Sequence, residues 1–463
     1  MLRQTVFLRR LLLLSANERN INFDVVNPSN IRLDPVIPKA DLNFYNNEMY
    51  SITGNTDGGA IKLTKANWVI PDINFENYSF SNIGSSSGAG GVMYLETTKN
   101  TFMKNISFTN CSATSSGGSI YIKDILEKFS VFNCAFLNIN SMASGGCIYC
   151  ELAFRSSLVL SNVISYNSSS SSSGGFLCSS STNEGNISII RTCIHRSYSI
   201  SGSYNVFLIQ MGSSSTSNTT ILLDYLSVCY SSFQKNTAYG ISLYYGGHII
   251  NNGNFSKNFA ASYSVLFDYH RNGLQMIHNT LIKNEVSSNT MAYFNTNPAL
   301  INGDISYCHI IENNSPGSSQ GVIHMVGVSG STIGISFRFC IFFNNSNILL
   351  TSHSGGKFNI LTCYIIHNLY EYTFLTTSAA TLSTSGNTIA VITTNTYVLS
   401  HLSTYLCETL QEITPLEVSP CQTIPIPPTN CIWESKMENA QSLGLTTLFH
   451  LLVLSITSIA LNI

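Results

Sequence analysis

Short apolar runs recur along the chain and are separated by Ser, Gly and Asn. Runs such as SLVLSNVISY, NISIIRTCI and FRFCIFF are rich in Ile, Val, Phe and Tyr, which favour strands. Helical repeats would instead place apolar residues at i, i+3 and i+4 and would use Ala, Leu, Glu and Lys in quantity. The pattern therefore predicts short strands joined by turns.

The stretch from Phe102 to Cys150 contains one unit twice, at a spacing of about 28 residues. NISFTNCSATSSGGSIYI begins at Asn105, and NCAFLNINSMASGGCIYC begins at Asn133. Each copy has two Asn positions, a run of small residues, a Gly-Gly pair and a strand-like run. Self-similarity at a fixed period of this length is typical of solenoids, in which each unit buries its apolar face against its neighbours.

The repeat extends over about eleven turns between residues 55 and 385. Three short strands with their turns fill one 28-residue unit. The fold class that we predict is therefore all-β, a parallel β-helix solenoid of about eleven turns. Neighbouring turns of such a coil stack about 4.8 Å apart.

The second of the paired positions is almost always Asn, whereas the first varies among Asn, Cys and small residues. In a parallel coil the same position recurs above itself, so inward-turning Asn side chains can hydrogen-bond from turn to turn. Asn also tolerates the left-handed conformation of tight turns. We predict an inward structural ladder formed by Asn82, Asn110, Asn138, Asn167, Asn236, Asn258, Asn284, Asn313, Asn345 and Asn368.

Two tetrapeptide families carry a resemblance to known proteins. The runs GGAIKL, GGVMYL, GGSIYI, GGCIYC and GGFLCS, with FQKN at Phe233, FSKN at Phe255 and FFNN at Phe342, resemble the GGA(I/L/V) and FxxN repeats of polymorphic outer-membrane proteins. Similar repeats occur in β-helix surface proteins of some parasitic protists. The resemblance covers residues of about 55 to 370 and implies a right-handed, pectate-lyase-like β-helix with an adhesive surface role. In the early copies Phe precedes Asn by two residues rather than three, and a counterpart of the bacterial autotransporter barrel is not found.

The amino-acid composition predicts where in the cell the protein is found. Only 10% of the residues are charged, against a usual quarter, and the net charge of −2 gives no electrostatic reason to expect nucleic acid as a partner. Ser, Asn and Thr carry the solubility, which suits a glycosylated extracellular surface. The predicted glycosylation sites are Asn186, at a turn, and Asn218, in the loop GSSSTSNTT, because the sequons of the ladder should face inward.

The terminal segments predict membrane attachment. Residues 1–16 form a weak signal segment or, alternatively, an amphipathic start, and residues 17–50 contain three prolines and form a cap before the repeats of residues 51–385. Residues 386–440 form a C-terminal cap and Pro-containing stalk. Residues 443–463 are long enough for a transmembrane helix, with a GPI-attachment tail or a buried helix as alternatives. We expect a single-pass cell-surface or plasma-membrane protein with the β-helix outside; a cytosol-facing, tail-anchored protein is the rival topology.

The 13 cysteines are spread through the strands rather than grouped for metal binding. The one CxxC lies in a predicted strand, where residues three apart face opposite sides, so we predict no metal and no cofactor. Cys308, Cys340 and Cys363 share one repeat position and should form a stacked thiol column. A Cys421–Cys431 disulfide is an option in an oxidising compartment.

Candidate catalytic chemistry is sparse. A β-helix enzyme acting on acidic polysaccharides needs clustered carboxylates with Arg or Lys on one face. The best cluster is Asp268, His270 and Arg271, in which alternation puts the first two on one face of a strand. No second carboxylate recurs at the matching position of neighbouring turns; Asp224 and Asp304 lie elsewhere. A solvated polar strand is the simpler interpretation.

The middle turns are unusually aromatic. Tyr239, Tyr244, Tyr245 and His248 are the predicted ligand-binding residues, because exposed rings can stack on sugars. The alternative is that half of them point inward as core rings. We predict an adhesin or surface-coat protein that binds host, matrix or glycan ligands. The alternatives are a carbohydrate-active β-helix enzyme, a polysaccharide lyase or hydrolase, and a structural or antigenic coat without a specific ligand.

Overall fold

The structure is a computed structural model of the chain. It describes residues 20–389 except 24–30, 34–40, 65–69, 182–183, 200–203, 213–218, 230–231, 234–238, 261–264, 287–289, 298, 300, 316–320, 328–332, 346–348, 354–356, 362, 367–374, 378–380 and 386–387. Within these residues the regular elements are all strands, and they form two sheets.

The smaller sheet receives one strand from each passage of the chain. Its 13 strands are β2 (Ile31–Leu33), β4 (Ile61–Leu63), β6 (Met93–Glu96), β9 (Ile120–Ile125), β12 (Ile148–Leu152), β15 (Leu177–Ser181), β18 (Tyr204–Met211), β21 (Tyr239–Tyr244), β25 (Leu266–Tyr269), β29 (Ala292–Asn295), β32 (Ile323–Val326), β35 (Leu350–His353) and β38 (Leu375–Thr377).

The larger sheet bends around the rest of each turn. Its 27 strands are β1 (Asn20–Phe23), β3 (Asp41–Gly54), β5 (Ile70–Ser85), β7 (Thr98–Thr109), β8 (Ser112–Ala113), β10 (Lys128–Phe132), β11 (Ala135–Ser141), β13 (Ser156–Ser161), β14 (Ile164–Ser170), β16 (Gly185–His195), β17 (Tyr198–Ser199), β19 (Thr220–Cys229), β20 (Ser232–Phe233), β22 (Gly247–Asn251), β23 (Asn254–Ser256), β24 (Phe259–Ala260), β26 (Leu274–Ile277), β27 (Thr280–Ile282), β28 (Glu285–Val286), β30 (Gly303–Ser306), β31 (His309–Ile311), β33 (Ile335–Arg338), β34 (Ile341–Phe343), β36 (Lys357–Leu361), β37 (Tyr364–Ile366), β39 (Thr381–Ser385) and β40 (Thr388–Ile389).

Every strand pairing between turns is parallel, and the partners lie one repeat apart in sequence. Phe80 in β5 pairs with Phe108 in β7, which pairs with Phe136 in β11. This register confirms the predicted all-β parallel solenoid. About nine turns are described over most of their length, so the predicted count of eleven is not confirmed.

The apolar core fills the space inside the coil. Phe80, Phe108 and Phe136 are fully buried, and their rings stack with centroids 5.3 and 4.8 Å apart. Alternate residues of each strand contribute to this core, because successive side chains of a strand point to opposite faces. The fold is stabilised by such columns, each shared between neighbouring turns.

The two glycines of each Gly-Gly pair are required for different reasons. Gly117 has a φ of 70°, which favours glycine because it has no Cβ. Gly118 has no such φ, but a Cβ there would lie 2.1 Å from the carbonyl oxygen of Gly146 in the next turn. The first glycine makes the turn, and the second lets two turns approach.

The segments expected at the two ends are only partly described. In the region of the predicted N-terminal cap, β1 pairs with β3 and β2 pairs with β4, so both strands extend the sheets. The predicted signal segment, stalk and membrane helix, together with Cys421 and Cys431, lie outside the described residues. A search of the described residues for a helix long and apolar enough to span a membrane finds none.

Candidate functional site

Asparagine ladders run along two outer corners of the early turns. At the first corner the Nδ2 groups of Asn77 and Asn105 each donate to Oδ1 of the Asn one turn earlier, at 2.9 Å. At the second corner Asn110 donates to Asn82 and Asn138 donates to Asn110, both at 3.1 Å. The ladders comprise Asn46, Asn77, Asn105, Asn133 and Asn162 at the first corner, and Asn82, Asn110, Asn138 and Asn167 at the second.

These early ladder residues do not face inward, which corrects the prediction for Asn82, Asn110, Asn138 and Asn167. Asn82, Asn110 and Asn167 are exposed and Asn138 is half-buried. All four have a φ between 52° and 55°. The left-handed conformation turns the chain at this point, and the side chain then points out of the corner. The following residue, for example Ile139, is the buried one.

A third ladder lies inside the later turns and is called the inner ladder. Asn258, Asn284 and Asn313 are buried, and each accepts at Oδ1 or donates at Nδ2 to its neighbour in the adjacent turn. Asn284 is bonded on both sides: its Nδ2 donates to the carbonyl of Phe255 at 2.8 Å and to Oδ1 of Asn313 at 2.9 Å. The inner ladder consists of Asn258, Asn284, Asn313 and Asn345.

The inner ladder lies one residue further along the chain than the outer ladder of the second corner. Ile139, which follows the outer Asn138, pairs with Ser168 in the next turn. The register of the following turns places Ser197, Asn258 and Asn284 at this same inward position. The left-handed residue in the later turns is the one before the Asn, for example Lys257. A one-residue shift moves a side chain to the other face. Two of the predicted ladder residues, Asn236 and Asn368, lie outside the described residues.

The predicted thiol column lies inside the first corner, where buried side chains again donate hydrogen bonds to backbone carbonyls of the preceding turn. Cys308, Cys340 and Cys363 are buried; Sγ of Cys340 is 3.3 Å from the carbonyl oxygen of Ile305, one turn back. Asn279 fills the position one turn before Cys308 and donates to the carbonyl of Ile250 at 2.6 Å. Burial raises the pKa of the Cys340 thiol, so it stays protonated and donates.

The predicted acid and base pair belongs to a buried cluster of three residues. Nδ1 of His248 lies 2.7 Å from Oδ2 of Asp268, and Nδ1 of His270 lies 2.5 Å from Oδ1. Nε2 of His248 lies 2.5 Å from the carbonyl oxygen of Tyr245. Both nitrogens of His248 therefore lie within hydrogen-bond distance of an oxygen atom.

Apolar side chains enclose this cluster along the coil. His248 is paired between Ile221 and Leu274 in the neighbouring strands, and Asp268 between Leu243 and Phe294. Burial would raise the pKa of Asp268, but the two imidazoles hold it well below its usual range. The carboxylate is thus ionised inside the core, where opposite charge compensates it.

The remaining catalytic candidates do not join this cluster. Arg271 is half-buried outside the core, Asp224 accepts from Nδ2 of Asn252 at 3.0 Å, and Asp304 lies 3.3 Å from Nε of Arg338. The side chains of Asp268 and His270 are fully buried. A substrate could not reach them without opening the coil, so the arrangement acts as a structural tie rather than as an acid and base pair.

The predicted ligand-binding residues Tyr244 and Tyr245 form part of a larger aromatic face on the outer side of the smaller sheet, made of Tyr244, Tyr245, Phe267, Tyr269 and Tyr293. The four tyrosines are half-buried and Phe267 is buried between them. The ring of Tyr245 lies 5.3 Å from Tyr269, and Phe267 stacks on Tyr293 at 5.1 Å between centroids. His248 does not belong to this face, because its side chain lies in the core. The side chain of Tyr239 lies outside the described residues.

A second outward aromatic group was not predicted. Tyr94, Tyr121 and Tyr149 stack with centroids 5.0 and 4.9 Å apart and ring planes within 5° of parallel. Each lies three residues after the second glycine of a Gly-Gly pair. The repeated Tyr of VMYL, SIYI and CIYC was the available signal. Partial burial, followed by nearby carboxylates, raises the pKa of Tyr94 to about 12, so the rings remain neutral phenols.

The sequons differ in their exposure to solvent. Asn186 is exposed in β16, and Asn218 lies outside the described residues. Asn110 and Asn167, expected to be hidden, are exposed instead, whereas Asn313 is buried. The group of accessible acceptors is thus larger than the sequence indicated.

The chain matches no protein-family model, and comparison with curated proteins and with solved structures gives no match either. Within the described residues, no group of three or more His, Cys, Asp or Glu side chains is placed to hold a metal ion.

Proposed function

We propose that the protein is a membrane-attached extracellular β-solenoid, displayed as an adhesin or surface coat that binds host, matrix or glycan ligands. The observation that carries this proposal is the division of polar groups between surface and core. The outer corners carry uncharged amides bonded into ladders, and the outer face of the smaller sheet carries aromatic rings. Such a surface is rigid and offers hydrogen bonds and ring faces together, which suits recognition of neutral ligands.

The burial of the cluster argues against Asp268 and His270 as a catalytic pair. An enzyme needs its acid and base within reach of the substrate. Asp268 and His270 have no exposed side-chain surface, so a carbohydrate-active enzyme would have to use other residues. The right-handed, pectate-lyase-like coil and the kinship with polymorphic outer-membrane proteins remain part of this proposal, with the tetrapeptide repeats as their support.

Export is the property that tests the proposal. The chain is expressed in eukaryotic cells with an epitope tag and followed by glycosidase digestion and by surface labelling with and without permeabilisation. We expect a glycosidase shift and labelling of intact cells. Replacing both Asn186 and Asn218 by Gln should reduce the glycosidase shift, whereas replacing the buried Asn258, which lies in no sequon, tests for unspecific effects.

No shift, together with labelling only after permeabilisation, would make this a cytosol-facing protein. That outcome removes the adhesin and coat functions together.

A further inference from the structure

Three consecutive later turns carry an aromatic side chain at the first outer corner. His278, Tyr307 and Phe339 directly follow β26, β30 and β33, which pair in register. The pairings of the preceding strands place these residues in the same column as Asn162 and Asn252. We call the three residues the aromatic corner.

The backbone at this corner does not favour aromatic residues. His278, Tyr307 and Phe339 have φ values of 56°, 54° and 53°. Asn is the side-chain-bearing residue best suited to this left-handed conformation, and a bulky residue there is an outlier. The turns from Asn46 to Asn162 use Asn at this position, Arg191 and Tyr225 occupy it in the next two turns, and Asn252 precedes the aromatic corner. Residues that oppose their local conformation in this way are concentrated at functional sites.

The rings of the aromatic corner stack on one another near the surface, where His278 and Phe339 are exposed and Tyr307 is half-buried. Tyr307 and Phe339 are parallel within 15°, with centroids 5.1 Å apart, and His278 is tilted by 51° at 5.4 Å from Tyr307. Atoms in contact are about 3.5–4.0 Å apart, so parallel rings at this centroid distance must be offset, and each leaves part of its face uncovered. Phe339 is 42% exposed.

A polar row runs beside the aromatic corner on the same sheet. It contains the exposed Gln275, the half-buried Asp304 and the buried Ser336, which are paired in register, and Arg338 lies between this row and Phe339. The carboxylate of Asp304 lies 3.3 Å from Nε of Arg338, so the two charges compensate each other. Gln275 and Arg338 are exposed and have hydrogen-bonding groups to offer.

We infer that the aromatic corner and its polar row bind a neutral oligosaccharide. A sugar ring has an apolar face of C–H groups and a rim of hydroxyls, and this surface offers ring faces with planar hydrogen-bonding groups at their edge. The balanced charge of Asp304 and Arg338 disfavours an acidic glycan. The inference deepens the proposed function by naming a ligand class and a site separate from the aromatic face around Tyr244 and Tyr269.

The test replaces the aromatic corner by the residue that the coil itself uses there. The full chain, purified in detergent, is titrated with neutral cello- and chito-oligosaccharides and with an acidic oligogalacturonide. The wild type should bind a neutral oligosaccharide in preference to the acidic one. The variant His278→Asn/Tyr307→Asn/Phe339→Asn should bind at least about tenfold more weakly, because three ring contacts are lost. It should unfold at the same or a higher temperature, because Asn suits the left-handed conformation.

Two controls make the result specific. Phe154→Asn removes another exposed aromatic ring, outside the corner, and should leave binding unchanged. Tyr244→Ser/Tyr269→Ser alters the aromatic face and should also leave it unchanged. The inference is overturned by any of three results: unchanged binding in the triple variant, loss of binding only in Tyr244→Ser/Tyr269→Ser, or preference for the acidic glycan.

Self-association is the other outcome that would contradict it. If no neutral oligosaccharide binds and sedimentation shows dimers that the triple variant dissociates, the corner is an interface between copies. The export experiment is independent: a chain that is exported but binds no neutral glycan refutes this inference alone. A chain that binds through the corner but is not exported refutes the proposed function alone.

Discussion

At the scale of the residue, the buried cluster shows how a charged group is accommodated in a solenoid core. The carboxylate of Asp268 forms hydrogen bonds with two imidazoles, and His248 also contacts the carbonyl oxygen of Tyr245. Tyr245 lies at the turn after β21 and has a φ of 63°. The cluster joins the smaller sheet to β22 of the larger one across the core. It thereby holds the turn that carries the aromatic face.

Replacing Asp268 tests this role. Asp268→Asn removes the buried negative charge that lies between the two imidazoles and should lower the free energy of unfolding by about 3–5 kcal/mol, the usual cost of breaking a buried ion pair. Urea unfolding followed by circular dichroism measures it. Asp224→Asn is the matched control: this carboxylate is half-buried and accepts from Asn252, so its loss should cost less than about 1 kcal/mol.

The free energy of unfolding should depend on pH through the ionisation of the Asp268 carboxylate. The pKa of Asp268 is lowered in the folded state, so its contribution is complete above its unfolded pKa of about 3.9 and is lost as the pH falls below that value. Unfolding at pH 6, 4 and 3 should give a steeper acid loss for the wild type than for Asp268→Asn. Equal slopes would show that the carboxylate is not ionised in the folded core.

At the scale of the element, the ladders differ in what they stabilise. The inner ladder satisfies buried backbone groups: Oδ1 of Asn313 accepts from the N–H of Asn284, and Nδ2 of Asn284 donates to the carbonyl of Phe255. The outer ladders bond exposed amides to one another, where water can replace the partner.

The difference predicts unequal costs of mutation. Asn284→Leu should lower the free energy of unfolding by about 1–3 kcal/mol for the buried groups that it leaves without a partner. Asn110→Gly, on the outer corner, keeps a residue that tolerates positive φ and should cost less than about 1 kcal/mol. Chemical unfolding of both variants checks this. Equal losses would show that burial is not what distinguishes the ladders.

The Gly-Gly pair allows an equally direct comparison. A Cβ on Gly118 would meet the carbonyl oxygen of Gly146 at 2.1 Å, whereas a Cβ on Gly84 would first meet the side-chain oxygen of Ser112 at 3.1 Å. Gly118→Ala should therefore separate two turns and cost about 1–3 kcal/mol or more, and Gly84→Ala should be nearly neutral. Thermal unfolding measures both, and a nearly neutral Gly118→Ala would contradict the close approach of the turns.

At the scale of the whole molecule, the coil is a rod in which each turn contacts its two neighbours. Stability in such a rod is approximately a sum over turns and their interfaces. The aromatic rings and amides of the surface are then held at the spacing of the turns rather than by flexible loops. A rigid array of this kind reduces the entropy that a ligand must overcome on binding.

The architecture predicts a β-dominated circular dichroism spectrum for the full chain. A helix content above about a third would be incompatible with a coil in which the described elements are all strands. Reading the far-ultraviolet spectrum in detergent is sufficient.

The strand content, the repeat and the parallel stacking could be predicted from the amino-acid sequence, because they follow from local residue preference and a period of about 28 residues. The sequence also indicated that Asp268 and His270 share a face of their strand. The tertiary structure decided which face that was. Asp268 meets His248 from another sheet inside the core, a contact between residues 20 positions apart that no strand pattern contains.

The same holds for the ladders. The sequence shows Asn138 and Asn258 as members of one recurring series, yet one lies outside and the other inside. The backbone conformation at Asn138 and at Lys257 makes the difference, because it sets which of two adjacent residues turns the corner. A shift of one residue is small against the spread of repeat lengths, so only the register between neighbouring turns could reveal it.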